Sequence, residues 1–278
     1  EARLDSRAVA AGAGLGLAEM IASGVTCVAD MYMHTGTIAE QILEAGISAN
    51  LSCGGVYFGA PEDFSPETCG DCRNQAALTE EWHGAGAGQI LVDASVHGEY
   101  TSNPPLWRWM AEYAAEHRLG MHVHVSETQS EHQASLERWG KTPIQALDGC
   151  GVWDCGRPLA AHCVYTTEED WALMAEKGIS CVHNPWSNLK LGSGVAPIPA
   201  MMRAGVNVAL GTDGMSSHNS ADLFSDIKLA AVLHNGVERD PMAVSAWAAL
   251  EIATVNGARA LGRDTGVIAP GKTADLIL

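Results

Sequence analysis

One feature constrains this chain more than any other: short β-branched or apolar runs alternate with longer stretches that carry helix signals. The runs are 25–31, 47–54, 90–97, 121–127, 158–163, 179–184 and 206–213, and nearly all end in a Gly, His, Asp or Asn cluster. Repetition of strand, polar loop and helix predicts a parallel α/β fold, because parallel neighbours need a crossover long enough to hold a helix. The connecting stretches fit. "TTEEDWALMAEKG" offers a capping box from Thr166 to Glu169, an apolar face of Trp171, Leu173 and Met174, and Gly178 as its stop. "SADLFSDIKLAAVLHNG" offers Ser220 as N-cap and Gly236 as stop. An eight-stranded barrel lacking its opening strand fits the seven runs, and so does an open doubly wound sheet. The opening "EARLDSRAVAAG" has no initiator methionine, so the expectation is a segment whose first part is absent. Residues 1–265 are expected to form the main domain. The tail 266–278, with a Pro-Gly turn between two apolar runs, reads as a hairpin that starts a separate sheet.

Composition narrows the function class. A chain of 278 residues that is 47% hydrophobic can bury one large core. The formal net charge of −17 argues against nucleic acid or an anionic membrane as partner and towards a small-molecule substrate. The sequence contains no apolar run of about 18 residues and residues 1–20 lack a signal-peptide pattern, so a soluble, cytoplasmic protein is expected. Eight cysteines with a lone C-x-x-C, Cys69 and Cys72, are read as reduced, structurally incidental thiols.

The candidate chemistry sits at the ends of the predicted strands. In "MHVHVSETQSE" (121–131), alternation puts His122, His124 and Ser126 on one face and Met121, Val123 and Val125 on the other. Packing the apolar face against helices points both histidines into the interior. An unpartnered buried imidazole costs about 1–3 kcal/mol, so each needs a hydrogen bond or a metal. His124 alone would be an ordinary core histidine, since a metal site needs three or four ligands. However, Asp30, His97, Glu127, His162, His183 and Asp213 also stand at strand ends. Neutral imidazoles with a carboxylate suit zinc or another borderline divalent ion.

The segments "HVSET" (124–128), "LAAHCVYTTEED" (159–170), "VHNPWSNLKLGSGVAPIPAMMRAGVNVALGTDG" (182–214) and "GVIAPGKTADLIL" (266–278) resemble the amidohydrolase superfamily. The branch they are most similar to is the 5-methylthioadenosine/S-adenosylhomocysteine deaminases and related chlorohydrolases. The resemblance implies a metal-dependent (β/α)8 TIM barrel with a small β-sandwich, to which residues 266–278 would contribute. It implies one divalent ion, zinc first with iron or manganese as the other candidates, bound by His124 and Asp213. The two remaining ligands in the family come from an H-x-H at the end of a first strand, which is expected to lie upstream of Glu1.

By the same resemblance Glu127 holds and protonates a ring nitrogen of the substrate, Asp213 also handles the proton of the attacking water, and His162 stands beside that water and the departing group. His97 and Glu1 contact substrate, Glu1 at the ribose hydroxyls. A bound ion would bring the pKa of its water from about 15.7 to about 7, and general acid–base help would add about 10²–10⁴-fold. The implied activity is a deaminase that releases ammonia from an adenosine-like or other aminated N-heterocycle. An 8-oxoguanine-type deaminase, a triazine chlorohydrolase and a noncatalytic ligand-binding barrel are the alternatives, and a homo-oligomer is compatible with the family. Cys53 stands where an arginine gripping an amino-acid carboxylate is expected, with Arg73 as a loose replacement. His183 is read as orienting the Asp213 loop through a hydrogen bond, Trp186 as filling the barrel rim, and Lys190 as structural.

Overall fold

The computed structural model describes residues 4–278. The described strands are β1 (Cys27–Met31), β2 (Ser48–Ser52), β3 (Ile90–Val92), β4 (Ala94–Gly98), β5 (Met121–Val125), β6 (Pro158–His162), β7 (Ser180–His183) and β8 (Val208–Leu210), and every pairing between them is parallel. They run in sequence order as β1-β2-β3 and β4-β5-β6-β7-β8. The third predicted run, 90–97, is therefore one strand interrupted at Asp93, and a bridge from Gly55 to Val96 carries the pairing past the break. The cause is the Asp93 side chain. Its carboxylate accepts from Asn50 Nδ2 (2.8 Å), Gly120 N (2.9 Å) and Arg157 Nη2 (2.9 Å), tying together three neighbouring segments at the foot of their strands.

The two ends of the strand series approach each other. Helix Ser6–Ala22 precedes β1, yet its Glu19 Oε1 accepts from Ser220 Oγ and Ala221 N, both 3.0 Å, in the segment that follows β8. Arg263, near the end of the chain, reaches back to donate to Ala49 O, Asn50 Oδ1 and Gly88 O beside β2. These contacts roll the strands towards a barrel. Within the described residues β1 and β8 do not pair with each other.

Alternation along the strands builds two layers. Val96, Met121, Val123, Val125, Ala160 and Cys181 join the large outer core beneath the helices, with Leu106, Trp107, Met110 and Trp153. Leu159, Val182 and Ala209 face the other way, where Ala260 and Leu261 of helix Val255–Leu261 pack on them. Burial of side chains this size contributes about 1.5–3 kcal/mol each. The outer layer therefore fixes which strand residues point inward.

Helix boundaries depart from the sequence reading in two places. The capping box of helix Glu168–Lys177 joins Thr167 and Asp170, one residue later than expected, because the Thr166 hydroxyl is engaged by Cys163 O and Trp171 Nε1. Helix Leu223–Glu238 is capped by Asp222 and passes through Gly236 to stop at Arg239. Ser220 is occupied by Glu19, and Asn235 binds Pro241 O and Val244 N beyond the helix, so the chain turns there and not at the glycine. Segment 266–278 makes the Pro-Gly turn through Lys272 N to Ala269 O, and its Ile277 lies against Gly24. No helix among the described residues is long and apolar enough to cross a membrane.

Candidate active site

Three inward residues, His97, His124 and His162, gather at the C-terminal ends of β4, β5 and β6, with His122 two residues deeper on β5. The His97 and His124 rings lie 5.1 Å apart, His122 and His124 5.6 Å, and His124 and His162 5.5 Å, measured between ring centroids. Their positions follow from the alternation except in one case. Register sets His162 opposite Val125, which would place it on the outer layer with Ala160. A left-handed backbone at His162, φ 75°, breaks that alternation and the ring turns to the mouth. Ser126, Cys163 and Asp213 are also left-handed, at φ 50°, 50° and 61°. Non-glycine residues adopt this region at a cost of about 1–3 kcal/mol, and four of them stand at strand ends around one mouth, the pattern of a functional site.

The hydrogen-bond partners fix the protonation of the rings. His124 Nδ1 is 2.7 Å from the His97 carbonyl oxygen, which can only accept, so Nδ1 carries the proton and Nε2 keeps its lone pair. This is how protein partners prepare a histidine to bind a metal through the opposite nitrogen. Burial, followed by the neighbouring histidines, lowers the His122 pKa to about 3 and that of His124 to about 4. Both rings are neutral at pH 7, the state a metal ligand needs. His162 Nδ1 lies 2.8 Å from Asn188 Oδ1 and 3.5 Å from Asn184 Nδ2; with the Asn188 oxygen as the nearer partner, Nδ1 carries the proton and Nε2 is left as an acceptor. His97 Nδ1 lies 3.1 Å from Thr101 Oγ1.

The acidic residues complete the arrangement. Glu127 Oε2 is 3.9 Å from His162 Nε2, and Glu127 Oε1 accepts from Ser193 Oγ at 3.2 Å. Asp213 Oδ2 accepts from Ser187 Oγ at 2.5 Å and Asp213 Oδ1 from Gly214 N at 2.6 Å, and the Asp213 charge acts on His124. Gly211 lets this loop close down: a Cβ there would sit 2.5 Å from Asn184 Oδ1 and 2.9 Å from Val182 Cγ1. His124 Nε2 and the Asp213 carboxylate are donor types that a divalent ion takes. Among the described residues no group of three or more His, Cys, Asp or Glu side chains has metal-holding geometry.

Several sequence-predicted residues go elsewhere. The His183 ring does not bond the Asp213 loop; its Nε2 meets His234 Nε2 at 3.0 Å, and only its backbone oxygen reaches that loop, accepting from Gly211 N. Trp186 is 40% exposed with its Nε1 donating to Ser225 Oγ, so it lies on the rim without filling it. Arg73 donates to Glu67 O, and Cys53 Sγ points to Gln75 Oε1. Lys190 braces the loop after Asp213 through Ser216 O and Asn219 Oδ1, a structural role. Asp30 is the penultimate residue of β1, and burial raises its pKa to about 6. Glu1 lies outside the described residues.

Three residues escaped the sequence reading. Glu131 is buried, and its carboxylate takes both Ser126 N and Glu127 N at 2.7 Å, clamping the backbone that carries Glu127. Its signal was the Thr128-x-x-Glu131 capping box inside the stretch that drew attention to the histidines. Asn188 and Ser193, the partners of His162 and Glu127, lie inside the motif segment 182–214, but nothing in it assigned them to those partners.

The Amidohydrolase family model matches residues 1–278. The 5-methylthioadenosine/S-adenosylhomocysteine deaminase of Moorella thermoacetica is 43% identical over 282 residues, covering 100% of this chain and 64% of its own length. The 5'-deoxyadenosine deaminase of Methanothermobacter thermautotrophicus is 40% identical over 278 residues, again 100% and 64%. This chain thus spans about two thirds, 64%, of the curated relatives it matches. Among solved structures, an adenosine deaminase from Xanthomonas campestris with bound zinc superposes with a TM-score of 0.89 at 33% identity, over 98% of this chain and 62% of the other. An atrazine chlorohydrolase from Arthrobacter aurescens shares the fold, with a TM-score of 0.88 at 24% identity over 98% and 64%.

Proposed function

This chain belongs to the amidohydrolase family, and from that premise we propose that the whole protein is a zinc-dependent deaminase of adenosine-like N-heterocycles. One observation carries the reading: a carboxyl group, Glu127, faces His162 at 3.9 Å beside His124, whose Nε2 is held ready for a metal. His124 Nε2 and Asp213 would hold the ion with ligands outside this set. When bound, the ion supplies hydroxide near neutral pH by lowering the pKa of water.

The residues divide the proton chemistry. Glu127 is an acid that is not a ligand, the arrangement other zinc deaminases use to protonate a ring nitrogen next to the reacting carbon. Its Oε2 faces the mouth, because Oε1 is taken by Ser193. Asp213 receives the proton lost by the water and returns it to the departing amine. His162 Nε2, an unprotonated acceptor, takes a hydrogen bond from the water or from that amine. His97, from the neighbouring strand, contacts the base. The amine leaves as ammonia, the ring keeps the oxygen as a carbonyl, and the remaining proton of the water returns to Glu127.

The deaminases among the relatives support adenosine-type substrates, and the zinc bound to the Xanthomonas campestris protein supports that metal. The test is ammonia release by the zinc-loaded whole protein from methylthioadenosine, S-adenosylhomocysteine, 5'-deoxyadenosine, adenosine and guanine. Turnover of an adenosine derivative supports the reading. Failure on every one of them refutes it.

A further inference from the structure

The Glu127–His162 pair is enclosed by a closed circuit of contacts that one short segment supplies. Helix Pro185–Lys190 follows β7 and carries Asn188; the loop beyond it carries Ser193. Asn188 Oδ1 is the nearer partner of His162 Nδ1 at 2.8 Å, with Asn184 Nδ2 at 3.5 Å, and Ser193 Oγ donates to Glu127 Oε1 at 3.2 Å. The segment is braced internally, because the Asn188 carbonyl accepts from Ser193 N at 2.8 Å and from Gly194 N at 3.3 Å. Asn188 and Ser193 are 1% and 4% exposed, so water does not compete well for these bonds. Gly194, at φ +125°, lets the loop pass the segment after His162: a Cβ there would lie 3.0 Å from Val164 Cγ1. One stiff segment therefore touches both partners of the pair.

We infer that Asn188 and Ser193 are positioning residues that assign one proton-carrying atom to each member of the pair. Asn188 holds His162 as the Nδ1–H tautomer, so its Nε2 faces Glu127 as an acceptor. Ser193 keeps Glu127 Oε1 an acceptor, so the mobile proton resides on Oε2, the oxygen nearer His162. Neither residue needs to touch substrate. A hydroxyl bond to a carboxyl group is broken by removal of the hydroxyl, and an imidazole released from Asn188 is free to move its proton to Nε2.

The inference deepens the deaminase reading, on which its kinetic arm rests, and a spectroscopic arm stands apart from it. Nitrogen-15 spectra of histidine-labelled whole protein at neutral pH should show His162 protonated at Nδ1, with Asn188→Leu shifting the proton towards Nε2. A wild-type His162 protonated at Nε2 overturns the inference whatever the enzyme does. Ser193→Ala should lower kcat about tenfold while KM stays within about twofold, the size expected for one lost bond to a charged or proton-donating carboxyl. Unchanged kcat in Ser193→Ala overturns the Ser193 assignment. If the wild type releases ammonia from none of the substrates, the deaminase reading fails, and the His162 tautomer still decides whether the positioning is real.

Discussion

His183 and His234 meet Nε2 to Nε2 at 3.0 Å in the interior, with no carboxylate in the contact. One proton between the two Nε2 atoms satisfies the contact; charging either ring would place an uncompensated charge in the interior. Burial accordingly lowers the His234 pKa to about 4, and burial with the nearby His234 and His162 holds His183 well below its ordinary value.

This pair predicts acid sensitivity. Its folded pKa values lie below the unfolded value of about 6.5, so the unfolded state binds more protons between them and stability rises with pH in that window. Stability should therefore decline as pH falls from about 6.5 towards about 4, by on the order of 3 kcal/mol for His234 alone. Urea midpoints measured across that range check it. His234→Gln, which cannot titrate, should flatten the slope.

Glu131 predicts a coupled loss of stability and activity. Glu131→Ala leaves Ser126 N and Glu127 N without their buried acceptor, at about 1–3 kcal/mol for each. Urea unfolding should show a loss of about 2–6 kcal/mol. A smaller kcat should accompany it, since the same bonds set where Glu127 begins.

Gly211→Ala should be destabilising out of proportion to one methyl group. The added Cβ meets Asn184 Oδ1 and Val182 Cγ1, both on or next to β7, so the Asp213 loop must lift away. A cost of about 1–3 kcal/mol in thermal or urea unfolding is expected. Metal affinity should fall with it.

Removal of the metal gives a prediction about the ligands themselves. Chelation should abolish ammonia release, and zinc should restore it. Zinc at about 100 times its dissociation constant should stabilise the fold by about 2.7 kcal/mol. His124→Ala and Asp213→Asn should each remove most of that stabilisation. Glu127→Gln should keep it.

The strand positions and the inward face of β5 were legible in the sequence because alternation is local: Met121, Val123 and Val125 had to face helices, which sent His122 and His124 inward. The family motifs then named Glu127, His162 and Asp213. The orientation of His162 was not legible from alternation, which would have turned it outward; it depends on a backbone angle that no residue type announces. His183 was assigned to the wrong partner because His234 lies 51 residues away on a helix, and contacts at that separation leave no periodic trace. The helix ends shifted where other groups override the local caps: the Thr166 hydroxyl is taken by nearby Cys163 and Trp171, Ser220 by distant Glu19, and Asn235 by the chain that loops back at Pro241.

The central claim is that Glu127 is the acid of a zinc-dependent deamination. It is tested most directly by comparing ammonia release from methylthioadenosine and adenosine by the zinc-loaded whole protein with that by its Glu127→Gln variant at equal metal content. Turnover by the wild type is expected, with a loss of about 10²–10⁴-fold or more in the variant and one ion retained in both. A variant that turns over at the wild-type rate, or that loses its metal, would contradict it.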